Sequence, residues 1–140
     1  MTRVLLVLAL LLPLAPTAPR EFVVVVHRSN PATTLRDADV AKLFLRKVDA
    51  WPHGVPVQPV DLVESRTREA FTRDVHHKDV ALVKAYWQKQ IYSGRQLPPP
   101  EKRTDRDVLQ FVRATPGGIG YVAAGTPLDP GVKVIEVVGP

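Results

Sequence analysis

No cysteine occurs among the 140 residues, which excludes both a disulfide framework and a lipid-modified cysteine and leaves packing to stabilise the fold. The apolar run at 4–12 is nine residues long, well short of the about 20 that a membrane span requires. There is no dense Lys/Arg block. The formal net charge is only +5 and the basic residues are scattered, a poor match to a nucleic-acid surface. No two histidines stand four apart, so His76, His77 and Asp79 do not form the usual helical metal pair, and adjacent histidines on a helix diverge. A Gly-x-Ser-x-Gly elbow is also missing, which argues against hydrolase chemistry at Ser65. The reading is therefore of a non-enzymatic chain with no metal and no cofactor.

What is present begins with Arg3, the apolar run, and then Pro13, Ala15, Pro16, Thr17 and Ala18. This layout predicts a secretory signal peptide over 1–18 and a single domain over 21–140, placed in the periplasm or otherwise outside the cytoplasm. Prolines adjoin both small-residue cleavage positions. An uncleaved segment tethering the domain to the membrane is the alternative.

Phe22-Val-Val-Val-Val26 has the β-branched content of a strand buried on both faces, the expected central strand. Thr34 with Asp37 reads as a capping-box-like start to a helix over 34–45, and 55–63 reads as a second strand whose prolines put it at an edge or at a strand entrance. Helices are expected from Ser65 to about His76, from an Asp79 cap through Ile91, and from a capping-box arrangement of Thr104 with Asp107 through Val112. The Pro/Gly-rich stretch 93–100 reads as a surface loop.

The segment Phe111-Val-Arg-Ala-Thr-Pro-Gly-Gly-Ile-Gly-Tyr-Val122 joins a helix directly to a strand. Pro116 disfavours α geometry at Thr115, and Gly117 and Gly118 would permit a turn at positive φ. A closing strand is expected over 132–138. The order strand, helix, strand, helices, strand, strand predicts an α/β layer built on a mixed sheet.

In that order the pieces resemble the phosphate-type periplasmic substrate-binding proteins of ABC transporters, and particularly their small single-lobe relatives. The likeness is carried by Val23-Val-Val-Val-His-Arg-Ser-Asn-Pro31, by Leu35 through Lys47 with Trp51, and by Pro59-Val-Asp-Leu62 followed by Ser65, Thr67 and Phe71. Lys84-Ala-Tyr-Trp87, Ile91-Tyr-Ser-Gly94 and Pro116-Gly-Gly-Ile-Gly-Tyr121 complete it. The resemblance implies one lobe of a type II periplasmic-binding-protein-like fold, an oxyanion such as phosphate as ligand, and an envelope or ABC transporter partner.

In that family a Gly-Ser-Gly-Thr type loop at a helix start presents hydroxyl and N–H donors to the anion, favoured by the helix dipole. Here Glu64 and Arg66 stand at the glycine positions and Asp61 where an arginine is often found; Ser65 and Thr67 remain. Cations in the first turn oppose the dipole by about 0.3–1 kcal/mol each, a cost that calls for an offset. Two readings follow. Either Ser65, Arg66, Thr67 and Arg68 form a shallow anion site, or they are a helix cap with solvated arginines balanced by Glu64 and Glu69. The same choice appears at the level of function: a weak oxyanion binder, or a ligand-free envelope interaction module that keeps the fold. Trp51, Trp87, Tyr86 and Tyr92 are expected to pack in the core or at its rim.

Overall fold

The structure, a computed structural model, describes residues 19–139; the expected signal peptide at 1–18 lies outside the described residues. The strand β1 (Phe22–His27) is the middle of a five-stranded mixed sheet ordered β2 (Thr34–Arg36), β7 (Val132–Val138), β1, β6 (Gly118–Ala123) and β3 (Gln58–Pro59). β6 and β7 flank it antiparallel, with Val24 opposite both Tyr121 and Ile135. β2 runs parallel to β7, and β3 parallel to β6. Sitting at the centre, β1 buries Phe22, Val24, Val25 and Val26, as a continuous apolar run should.

The expected helix at 34–45 divides. Thr34 to Arg36 extend as β2, and α1 (Asp37–Phe44) starts at an Arg36 N-cap with no side-chain cap. Thr34 is therefore not the cap: β7 offers it and its neighbours an open edge, and pairing Thr34 with Glu136 satisfies backbone groups that a helix start leaves orphaned.

The expected strand at 55–63 also divides, because successive amides bond to different partners. Val60 N donates to Ile119 O in the main sheet, whereas Asp61 N donates to Pro100 O. β4 (Asp61–Leu62) thereby leaves the main sheet and pairs in parallel with β5 (Glu101–Lys102), a short strand that the sequence did not announce.

The three side-chain caps form as read. Ser65 opens α2 (Arg66–Phe71), Asp79 opens α3 (Val80–Tyr92) and Thr104 opens α4 (Asp105–Ala114), each accepting the backbone N–H three residues on. α2 continues into a π-helical turn (Thr72–His76), ending at His77 in the left-handed region. Thr72 Oγ1 donates to Arg68 O at 2.7 Å there, competing for a helical carbonyl. α3 rests on this turn, and no helix among the described residues is long and apolar enough to cross a membrane.

Thr115 is extended at φ −126° and ψ 105°, as the following proline requires. Gly117 and Gly118, however, do not adopt positive φ. Close approach, not a left-handed turn, accounts for the glycine: a Cβ on Gly117 would lie 1.7 Å from Pro56 O. Nearby, Trp51 Nε1 donates to Gly117 O at 3.0 Å, tying the 51–57 loop to the head of β6.

The core lies where α1, α2 and α4 meet the sheet. Phe71 stacks on Tyr121 with centroids 3.9 Å apart and planes 6° from parallel, and meets Phe22 edge-on at 5.4 Å. Full burial of one such ring stabilises by about 1.5–3 kcal/mol. A smaller cluster of Leu45, Val83 and Trp87 holds α3, which otherwise stands in solvent. Trp51 and Trp87 are thus packed, and Tyr86 half-buried, as expected; Tyr92 is not, being 96% exposed.

Candidate functional site

β4 delivers Asp61, the bend at Glu64 and Ser65 turns the chain, and α2 carries Arg66, Thr67 and Arg68 away from it. The four residues expected to meet an anion do not point together. Ser65 Oγ accepts from Arg68 N at 3.2 Å, so the hydroxyl serves as a cap. Thr67 is half-buried. The Arg66 side chain is largely exposed and donates from Nη2 to Glu21 Oε1 at 3.0 Å, 45 residues earlier in the chain.

Arg68 goes inward and is only 4% exposed. Its Nη1 donates to Leu62 O at 2.9 Å and to Glu101 Oε1 at 2.7 Å, and its Nη2 lies 3.6 Å from Asp61 Oδ2. Two carboxylates and a carbonyl therefore surround one guanidinium. This is the offset that a cation in the first turn of a helix calls for.

Asp61 Oδ1 accepts from Leu62 N at 3.1 Å and from the Tyr121 hydroxyl, which itself accepts from Leu62 N at 3.3 Å. Burial pushes the Asp61 carboxyl above its usual range, with Arg68 and the Tyr121 hydrogen bond pulling back. Burial likewise raises the Tyr121 hydroxyl far above its ordinary value, and the Asp61 charge adds to the rise. For Arg68, burial works against the charged form, but Asp61 and Glu101 outweigh it and the guanidinium is held charged. A cleft of about 170 Å³ opens beside the network, lined by Asp61, Arg68, Lys84, Trp87, Pro99 and Glu101 among others. An anion entering it would face the Glu101 and Asp61 carboxylates next to the only deeply buried cation of the described residues.

The expected balancing acids are not the ones used. Glu64 pairs with Lys84 at 3.2 Å, and the arginines pair with Glu21, Asp61 and Glu101. The sequence signals for this network were an aspartate inside an apolar strand, a tyrosine in a buried strand and a cation at a helix start.

The histidines find separate partners. His77 Nε2 sits 2.8 Å from the Oδ2 of buried Asp37, and His27 Nδ1 lies 2.7 Å from Ser29 Oγ. His76 turns inward with its ring edge-on to Phe71, and burial together with Lys78 and Arg68 lowers its pKa to about 4. Among the described residues no group of three or more His, Asp or Glu side chains is placed to hold a metal.

Sheet, helices and the β4–α2 turn define one α/β lobe of the periplasmic-binding-protein kind. The PBP superfamily domain matches residues 16–137, and the chain belongs to that family. No curated protein matches it. Among solved structures, it is similar to a Clostridium perfringens protein with bound phosphate, described as a phosphate ABC transporter substrate-binding protein, at TM-score 0.64 and 16% identity over 84% of this chain and 44% of that one. An ABC-type phosphate transport receptor from Vibrio cholerae gives TM-score 0.64 and 16% identity over 84% of this chain and 46% of its own. PstS from Borrelia burgdorferi gives 0.63 and 11% over 84% and 47%. The chain spans less than half the length of each of these structures.

Proposed function

We propose that the chain is an exported, non-enzymatic lobe of the substrate-binding-protein fold that works by docking onto an envelope partner, an ABC transporter assembly being the partner class that its fold relatives point to, and that it does not capture free phosphate. One observation carries the proposal: Arg68, the one buried cation at the helix start where an oxyanion would be held, is already enclosed by Asp61, Glu101 and the Leu62 carbonyl. Displacing those partners for a mobile anion would leave the buried Asp61 carboxylate without its cation, which is strongly unfavourable in a buried setting. Export rests on the signal-peptide layout of 1–18.

Isothermal titration with phosphate and with sulfate tests this. No heat is expected from either anion. Saturable heat that Ser65→Ala or Arg66→Ala abolishes, with the variants still folded, would overturn the proposal in favour of the second reading, a weak oxyanion site at Ser65, Arg66, Thr67 and Arg68. That reading draws its support from the bound phosphate of the Clostridium perfringens structure.

A further inference from the structure

The C-terminal end of α3 and the turn after it expose apolar side chains to solvent. Tyr92 is 96% exposed, Leu97 70% and Ile91 49%. The segment is nonetheless well built. Gly94, at φ 67°, closes the helix with its N–H on Ile91 O at 3.0 Å, and Arg95 N bonds Gln90 O at 3.0 Å. Ile91 and Leu97 line the same shallow cleft, with Gly94, Arg95 and Gln96 between them. The Gln96 amide then donates to Arg46 O at 3.1 Å, which brings the basic end of α1 alongside. Lys47 Nζ lies 5.9 Å from the ring centre of Tyr86 on the same helix as Tyr92.

The charge is one-sided. Across residues 45–49 and 80–101, Arg46, Lys47, Lys84, Lys89 and Arg95 stand against Asp49 and Glu101, and Glu101, which shares a cleft with Ile91, is already paired with Arg68. Among the described residues, only Lys84 of these five is in an ion pair, with Glu64. Two copies of the chain meeting here about a dyad would set cation against cation, so a second copy is a poor occupant. An exposed tyrosine next in the chain to Ile91, which lines a shallow cleft with Leu97, and with Lys89 and Arg95 three residues to either side, matches the interface of an anionic bilayer, where the rings sit at headgroup level and each cation adds to binding.

We infer that this tip, formed by Ile91, Tyr92 and Leu97 with Lys89 and Arg95 on the same stretch of chain, docks on the surface of a membrane containing anionic phospholipid. It is a peripheral contact, distinct from any anchoring by the apolar run at 4–12. The inference rests on the envelope location proposed above, but its test is independent of phosphate titration.

Tyr92→Trp in the full chain gives a local reporter, because the native Trp51 and Trp87 are buried and supply a constant background. Vesicles of phosphatidylglycerol with phosphatidylcholine should shift the emission of the introduced indole to the blue, and vesicles of phosphatidylcholine alone should not. Adding Lys89→Glu and Arg95→Glu should weaken the partitioning about tenfold or more, and salt should do the same. Both sites are exposed, so an unchanged circular dichroism spectrum establishes that the variant is folded. An unshifted emission from the reporter with every vesicle would overturn the inference, as would an equal shift with neutral lipid. So would burial of the reporter by an acidic protein in an envelope extract stripped of lipid.

Discussion

The guanidinium of Arg68 reaches out of the first turn of α2 to Glu101 on β5 and donates to its Oε1 at 2.7 Å, joining a helix start to a strand 33 residues further along the chain. A small parallel pair, β4 and β5, is thus pinned to α2 by the residue that the sequence offered as an anion ligand. Arg68→Met should destabilise by about 3–5 kcal/mol, because it leaves the buried Asp61 carboxyl without its cation. Arg66→Ala should stay within about 1 kcal/mol, since its ion pair with Glu21 lies at the surface. Urea unfolding followed by circular dichroism compares them, and equal small effects would remove the structural role given to Arg68.

Tyr121→Phe isolates the other half of the network. The ring still stacks on Phe71, while Asp61 loses a donor and Leu62 N an acceptor. The expected cost is about 1–3 kcal/mol. In a double-mutant cycle with Asp61→Asn the two changes should be non-additive, because both act on the same hydrogen bond. Additive losses would mean that the hydroxyl contributes through something else.

Much of this architecture was legible because it is local. Five adjacent apolar residues make β1 wherever it sits, and Ser65, Asp79 and Thr104 cap helices through amides only three residues away. The parts that went unread depend on distant partners. Thr34 is a strand residue only because β7 lies beside it, and the 58–62 segment splits because Ile119 and Pro100 accept from different sheets. Arg68 shows the same limit at the candidate site. Its position flagged an uncompensated dipole cost, but Glu101, which meets it, is 33 residues away.

The β6 entrance gives a prediction about packing instead of torsion. Gly117→Ala puts a methyl group 1.7 Å from Pro56 O, which the loop tied down by Trp51 cannot easily yield, so the cost should be about 3 kcal/mol or more. Gly125→Ala is the contrasting case. It has φ +84° and open space around it, and should cost only about 1 kcal/mol from the left-handed backbone. Thermal unfolding that ranks the two in the opposite order would refute the close-approach account.

His76 makes stability depend on acid in a defined window. Its folded pKa is lowered to about 4 from an ordinary 6.5, chiefly by burial, so the unfolded chain takes up its proton first as the pH falls. The contribution is therefore complete above pH 6.5, declines between 6.5 and about 4, and is constant below that. A fall from 6.5 to about 4 corresponds to roughly 3 kcal/mol over the window. Carboxylates titrate at the lower end of the same range, so the informative quantity is the difference between wild type and His76→Phe, which keeps the edge-on contact with Phe71 and has nothing to protonate. Unfolding free energies measured from pH 7 to pH 4 should fall more steeply for wild type, and parallel curves would show that the His76 ring takes up its proton without opening the core.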